Sequence, residues 1–213
     1  MILIGHFDSP FVRRVAIAAK LYEMPFEHRG WSVFGDADRI ARFNPLRRVP
    51  ALVLDDGEVL IESAAILDAL DEMAGEEGRA LIPARGALRR RVLKVCALGA
   101  GLADKAVSLV YERVVHERAT PMWVERCRSQ MSDVLAALEA DRRAGAGPWW
   151  FGESLTHADI MIACAWRFVS EAHAEAFDLR AWPTLGAHSE ACEALAAFQA
   201  FVQPFFVSAP ARA

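Results

Sequence analysis

Six residues in the first third of the chain carry side chains or backbone groups that could do chemistry: Ser9, Arg48, Val49, Pro50, Glu62 and Ser63. Pro50 opens the apolar run Ala51-Leu52-Val53-Leu54. Proline has no N–H to give to a ladder, so it starts a strand or lies at an edge. The Val49-Pro50 bond has two readings. One is an ordinary loop-to-strand proline. The other is a cis bond, an isomer accessible mainly before proline, which would turn the N–H and C=O of Val49 away from the sheet, where they could hold an extended ligand by main-chain hydrogen bonds. Glu62-Ser63 stands just ahead of a helical pattern that begins at Ala64. There Ser63 fits the N-cap, offering a hydroxyl and the helix-terminal N–H groups to an anion, while Glu62 offers a carboxylate to a cation. Plain capping and a solvated surface charge account for the same two residues equally well. Ser9 precedes Pro10, a favoured first helical residue, so its simplest role is also a cap.

The elements that must position these residues follow from periodicity and punctuation. Met1 to Phe7 and Phe26 to Gly30 read as strands, and Phe11 to Tyr22 and Asp36 to Phe43 as helices, a βαβ order. Ala51 to Leu54 and Val59 to Ile61 flank Asp55-Asp56-Gly57, a tight hairpin signal because Asp-Gly tolerates positive φ. A helix from Ala64 to about Met73 closes this first unit, and Gly75-Glu76-Glu77-Gly78 with Pro83 reads as a linker. Beyond it strand signals stop. Apolar residues from Leu88 to Val114 recur at helical spacing, giving one long helix from about Ala84 to Arg118, with Gly99 and Gly101 marking close approach of a neighbour. A second helix spans Met122 to about Arg142, and Gly145 to Pro148 ends it. Thr156 and Asp159 form a capping box for a third, whose loss would cost about 0.5–2 kcal/mol. A last helix follows Pro183, and Phe201, Phe205 and Phe206 are expected to lie back on the core. The boundaries are therefore 1–78 for an α/β domain and 84–213 for an all-α domain.

Composition removes several function classes. With 213 residues the chain can build one large core or two small ones. A net charge of −4 argues against a nucleic-acid partner, which needs a basic face. No apolar run approaches the ~20 residues of a membrane-spanning helix, and Met1-Ile2-Leu3-Ile4 meets Gly5-His6 with no basic leader or cleavage site, so a cytoplasmic location is expected. Cys96, Cys127, Cys164 and Cys192 are widely spaced on helical segments and read as buried thiols. The histidines show no metal-ligand spacing, so no metal is expected. Gly152-Glu153-Ser154-Leu155-Thr156 misses the nucleophile-elbow pattern at its last position.

The order strand, helix, strand, helix, hairpin, helix followed by a helical half, with Val49-Pro50 and Glu62-Ser63 where they stand, resembles the soluble bacterial glutathione S-transferases. Ser9-Pro10-Phe11-Val12-Arg13-Arg14 is similar to the family's first loop and helix, Asn44 to Leu52 to its cis-proline segment, Glu62 to Ile66 to its γ-glutamyl site, and Thr156 to Asp159 to its helix cap. The resemblance implies a thioredoxin-like N-terminal domain plus an all-α C-terminal helical domain, a two-fold homodimer, a site near the domain junction, and glutathione as cosubstrate for attack on a small electrophile, as in detoxification. Glu62 would then face the γ-glutamyl ammonium and Ser63 its carboxylate, with Val49 and Pro50 along the backbone, while Arg48 has two readings, a contact to the glycyl carboxylate or a plain solvated charge.

The resemblance also implies the role of Ser9, which in the family's serine-type enzymes donates a hydrogen bond to the glutathione sulfur. Lowering a thiol pKa by about two units takes roughly 2.7 kcal/mol. A hydrogen bond to a charged acceptor supplies about 1.5–3 and a helix N-terminus about 0.3–1 kcal/mol, so no general base is needed. The tyrosine type is set aside because the first strand holds only His6 and Phe7 at that stretch, and the cysteine type because no cysteine precedes Cys96. A glutathione-binding or scaffold protein with little turnover is the alternative within the same fold.

Overall fold

The computed structural model describes residues 1–75 and 80–206. Two compact units result, one comprising Met1–Ala84 with the chain from Ala196 onward, the other Arg85–Leu195. The linker expected at Gly75 to Gly78 lies, beyond Gly75 itself, outside the described residues. The expected helical half runs from 84 to the end, whereas the described part of the tail, Ala196 to Phe206, groups with the first unit. The reason is a buried cation: Arg13, 2 % exposed, donates to the carbonyls of Phe198 and Phe201, both at 3.0 Å, and draws the tail onto the first unit. A periodicity argument has no access to that bond.

In the first unit β1 (Ile2–Ile4), α1 (Pro10–Leu21) and β2 (Glu27–Arg29) form a parallel βαβ turn. The short α2 (Ala37–Ile40) leads to β3 (Ala51–Val53) and β4 (Val59–Ile61), and α3 (Ser63–Gly75) closes the unit. The sheet order is β2-β1-β3-β4, with β3 antiparallel to both β1 and β4. Its first strand is shorter than expected because Gly5 adopts φ +127°, which turns the chain out of the ladder. Helix α2 ends at Ile40, short of the expected Phe43, and the chain goes on in turns, with the N–H groups of Phe43 and Asn44 both donating to Ile40 O at 2.9 and 2.8 Å. Leu3, Val15, Ala16, Leu52, Ile66 and Leu70 form the core between sheet and helices.

In the second unit α4 (Ala87–Val114), α5 (Pro121–Ala144), α6 (His157–Ala172) and α7 (Pro183–Glu193) pack as a bundle, with a short 3-10 turn at Leu179–Ala181. Gly86, at φ +97°, delays the start of α4 past Ala84. Its end comes at Val114 because the buried Glu112 accepts the Thr120 N–H and pairs with His116, folding the chain towards α5. Gly99 does mark close approach: an added Cβ would lie 2.8 Å from Ile162 and Met161 of α6. Gly101 faces open space instead. The capping box forms, with Asp159 Oδ2 accepting from Thr156 N–H at 2.7 Å and from the Thr156 hydroxyl at 2.8 Å. No two of the four cysteines are joined in a disulfide.

In the tail, α8 (Ala196–Gln199) was not foreseen. Phe201 packs on the first unit's core as expected, whereas Phe206 is 69 % exposed. Among the described residues no helix is long and apolar enough to cross a membrane.

Candidate functional site

Sheet register gathers the chemistry-bearing residues of the first unit. Ile4 pairs with Arg29 on one side and with Ala51 on the other, and Ala51 pairs with Ile61. The loop after β1, the Val49-Pro50 step before β3 and the Glu62-Ser63 step after β4 therefore leave the same end of the sheet. Helices α1 and α3 both begin there, so two helix N-termini, each favourable to an anion, belong to one edge. Gly5 binds these segments together. An added Cβ would lie 2.6 Å from Val12 and 2.7 Å from Val49, so the loop before Pro50 rests directly on the start of α1.

Ser9 stands at the N-cap of α1, with Arg13 N–H donating to its carbonyl at 2.9 Å. Its side chain makes no capping hydrogen bond. Of the two roles that compete for this hydroxyl, local capping does not take it.

The Val49-Pro50 bond is cis. Among the described residues neither the N–H nor the C=O of Val49 takes part in a hydrogen bond. Asn44, 1 % exposed, shapes the loop that leads there: its side chain donates to Arg48 O at 2.8 Å and accepts from Leu46 N–H at 3.0 Å. Arg48 ends 3.8 Å from Glu62, and both side chains are more than half exposed, so this ion pair contributes little to stability. A ligand ammonium can displace it at small cost.

Glu62 has φ +65°. A left-handed backbone is uncommon for a residue with a Cβ and marks a position that the surrounding structure holds. Its carbonyl accepts the first helical bond of α3, from Ile66 at 3.0 Å, which makes Glu62 and not Ser63 the N-cap. The expected cap is thus moved by one residue. Ser63, 4 % exposed, is the first residue of the helix, and its Oγ accepts from Arg14 Nη2 at 2.7 Å. With one lone pair so occupied, the hydroxyl proton stays available to donate. Arg14, itself 4 % exposed, sets a buried cation directly behind Ser63. Nothing local in the sequence marks Arg14 for this role, because α1 is buried continuously from Val12 to Ala19 and no helical face sets Arg14 apart. Among the described residues no group of three or more His, Cys, Asp or Glu is arranged to hold a metal.

One edge of the sheet thus carries the Glu62 carboxylate, the Ser63 hydroxyl at the start of α3, the Val49 backbone beside the cis bond and the Ser9 hydroxyl at the start of α1. The profile "Glutathione S-transferase, N-terminal domain" matches residues 3–78 and "Glutathione S-transferase, C-terminal domain" matches 121–191, together more than half of the chain. The uncharacterized GST-like protein YibF of Escherichia coli (strain K12) is 32% identical over 113 residues, 53% of this chain and 55% of that protein, so the match spans about half its length. The probable maleylacetoacetate isomerase 2 of Drosophila melanogaster is 27% identical over 207 residues, 93% of this chain and 86% of that protein. A glutathione S-transferase of Methylobacterium radiotolerans, solved in complex with glutathione sulfonate, superposes with a TM-score of 0.89 at 28% identity, covering 100% of this chain and 98% of that one. Fold and both sequence profiles agree: the chain belongs to the glutathione S-transferase family.

Proposed function

We propose that this chain is a serine-type glutathione transferase, in which Ser9 donates a hydrogen bond to the glutathione sulfur and the resulting thiolate attacks a small electrophile. The observation that carries the reading is the Ser9 hydroxyl, at the N-terminus of α1 and without a capping bond, on the sheet edge that also bears Val49, Glu62 and Ser63. Glu62 pairs with the γ-glutamyl ammonium, displacing Arg48. Ser63, backed by Arg14 and the first N–H groups of α3, receives the γ-glutamyl carboxylate. The backbone of Val49, ahead of Pro50, bonds the extended peptide, and Arg48 turns to the glycyl carboxylate. At Ser9 a charge-assisted hydrogen bond of about 1.5–3 kcal/mol, with the α1 terminus, is of the size needed to lower the thiol pKa by about two units. Conjugation then proceeds with the C–S bond forming as the electrophile's leaving group departs or its double bond takes up the electron pair.

Calorimetric titration with glutathione tests the binding half of this reading. Glu62→Ala should weaken affinity more than Ser9→Ala does, because Glu62 contacts a full charge while Ser9 acts on the thiol's ionisation. Equal affinities for wild type and Glu62→Ala would remove Glu62 from the site.

Similarity to the Drosophila probable isomerase over most of both chains favours a second reading, in which the thiolate adds to a conjugated double bond and leaves again after rotation. Thiol consumption separates the two: conjugation uses one glutathione per turnover, isomerisation none. Ligand binding without either activity would point to the binding-protein alternative.

A further inference from the structure

The loop that carries Ser9 leaves β1 at Gly5 and has little regular bonding of its own. Ser9 N–H reaches back to His6 O at 3.2 Å, but the strand has ended, and the half-buried Phe7 N–H needs a partner that no neighbouring strand supplies. That partner comes from the far end of the chain. Gln203 Oε1 accepts from Phe7 N–H at 2.9 Å.

Three observations show that this bond belongs to a built arrangement. The tail alternates: Phe201, Gln203 and Phe205 are half-buried while Val202, Pro204 and Phe206 are exposed, the period of an extended segment with one face turned inward. Gln203 is thus a polar amide on an inward face whose other two members are phenylalanines. The tail is also fixed to the helix that Ser9 caps, since Arg13, whose N–H donates to Ser9 O, holds Phe198 O and Phe201 O through its guanidinium. Finally, the tail grips the loop at neighbouring points, with the Phe201 ring 5.0 Å from that of Phe7 and Phe206 N–H 3.4 Å from Asp8 Oδ2.

We propose that Gln203 is a positioning residue for Ser9: by holding the Phe7 amide it fixes the loop from which the Ser9 hydroxyl reaches the glutathione sulfur. The inference rests on the reading of Ser9 given above. A hydrogen bond weakens steeply with misalignment, and small displacements of reacting groups are costly in rate, so a loop held from both sides directs the hydroxyl where a loose one does not.

The test uses the full-length protein with Gln203→Met, similar in length but with only a weak acceptor, and Gln203→Asn, which draws the amide back by one methylene. Ser9→Ala is run beside them. In each variant the ultraviolet absorbance of bound glutathione thiolate is titrated with pH, and kcat, glutathione affinity and the urea midpoint are measured. Gln203→Met should move the thiolate titration upward and lower kcat about two- to tenfold, the rate equivalent of one neutral hydrogen bond, while glutathione affinity stays near wild type and the urea midpoint falls by no more than the loss of that one bond. Gln203→Asn should move in the same direction. Wild-type titration in both Gln203 variants, with an upward shift in Ser9→Ala, overturns the proposal and leaves Gln203 a structural staple. A loss of kcat matched by equal losses in affinity and midpoint also overturns it, as general loosening. If Ser9→Ala itself titrates as wild type, the Ser9 reading has failed and this inference falls with it.

Discussion

Replacing Asp159 by alanine should destabilise the second unit by more than a helix cap ordinarily contributes. Asp159 is 0 % exposed, and its two oxygens serve three donors at normal distances: Trp150 N–H to Oδ1 at 2.7 Å, and the N–H and hydroxyl of Thr156 to Oδ2 at 2.7 and 2.8 Å. His188 Nε2 lies a further 3.5 Å from Oδ1. Cap loss alone costs about 0.5–2 kcal/mol. Here two buried amides lose their only good acceptor, at about 1–3 kcal/mol each, and removal of a buried carboxylate returns part of that by sparing its desolvation. The net expectation is a loss of about 3–5 kcal/mol, near the top of the range for single substitutions. Asp159→Asn should cost roughly half as much, because its oxygen can still serve Trp150 while its NH2 meets the Thr156 donors. Urea unfolding followed by both circular dichroism and tryptophan fluorescence measures this, with an unchanged m-value showing that the unfolded state is the same. A loss below about 1 kcal/mol for the alanine variant would refute the accounting.

Acid should weaken the same region. Burial lowers the His188 pKa from 6.5 to about 4, with Asp159 opposing and Arg142 adding to the effect. Arg142 Nε donates to Nδ1 at 3.2 Å, so the neutral ring carries its proton on Nε2, facing Asp159. Between pH 6.5 and 4 the unfolded chain takes up a proton that the folded chain refuses, so stability is complete above this window and falls within it as pH drops, by at most about 3 kcal/mol. His188→Gln should flatten the slope of unfolding free energy against pH, and equal slopes would contradict the assignment. Gly5→Ala should cost at least about 2 kcal/mol, because its Cβ would overlap Val12 and Val49 at a φ that side chains rarely adopt; an unaltered melting curve would show that the cis-proline loop does not rest on α1.

Much of this was legible in the sequence because it is local. Asp55-Asp56-Gly57, Thr156 with Asp159, and Pro10 after Ser9 each carry their own turn or cap chemistry within four residues, and the structure places a hairpin and two helix starts there. The convergence of Ser9, Val49, Glu62 and Ser63 followed from the family resemblance and not from periodicity, because it depends on the antiparallel pairing of β3 with β1, which no local pattern marks. What stayed hidden depends on long-range bonds. The Arg13 guanidinium reaching Phe198 and Phe201, Arg14 behind Ser63, and Gln203 under Phe7 join residues far apart in the chain, and no periodicity marks such pairs. The shift of the α3 cap from Ser63 to Glu62 was hidden for another reason: glutamate is a poor candidate for a left-handed backbone, so propensity pointed to the better capping residue next door. That conflict between local preference and structure falls on a residue proposed to bind the ligand, and such conflicts concentrate at functional sites.

The most direct test of the central claim is the ionisation of the bound thiol. Glutathione at saturating concentration is titrated on wild type and on Ser9→Ala while thiolate absorbance is recorded. The account predicts that the wild-type complex ionises below free glutathione, that Ser9→Ala moves the titration upward by about one unit or more, the equivalent of about 1.4 kcal/mol, and that the fold survives because the hydroxyl makes no capping bond. Coincident titrations for the two proteins, with glutathione bound equally well by both, would contradict it and withdraw Ser9 from catalysis.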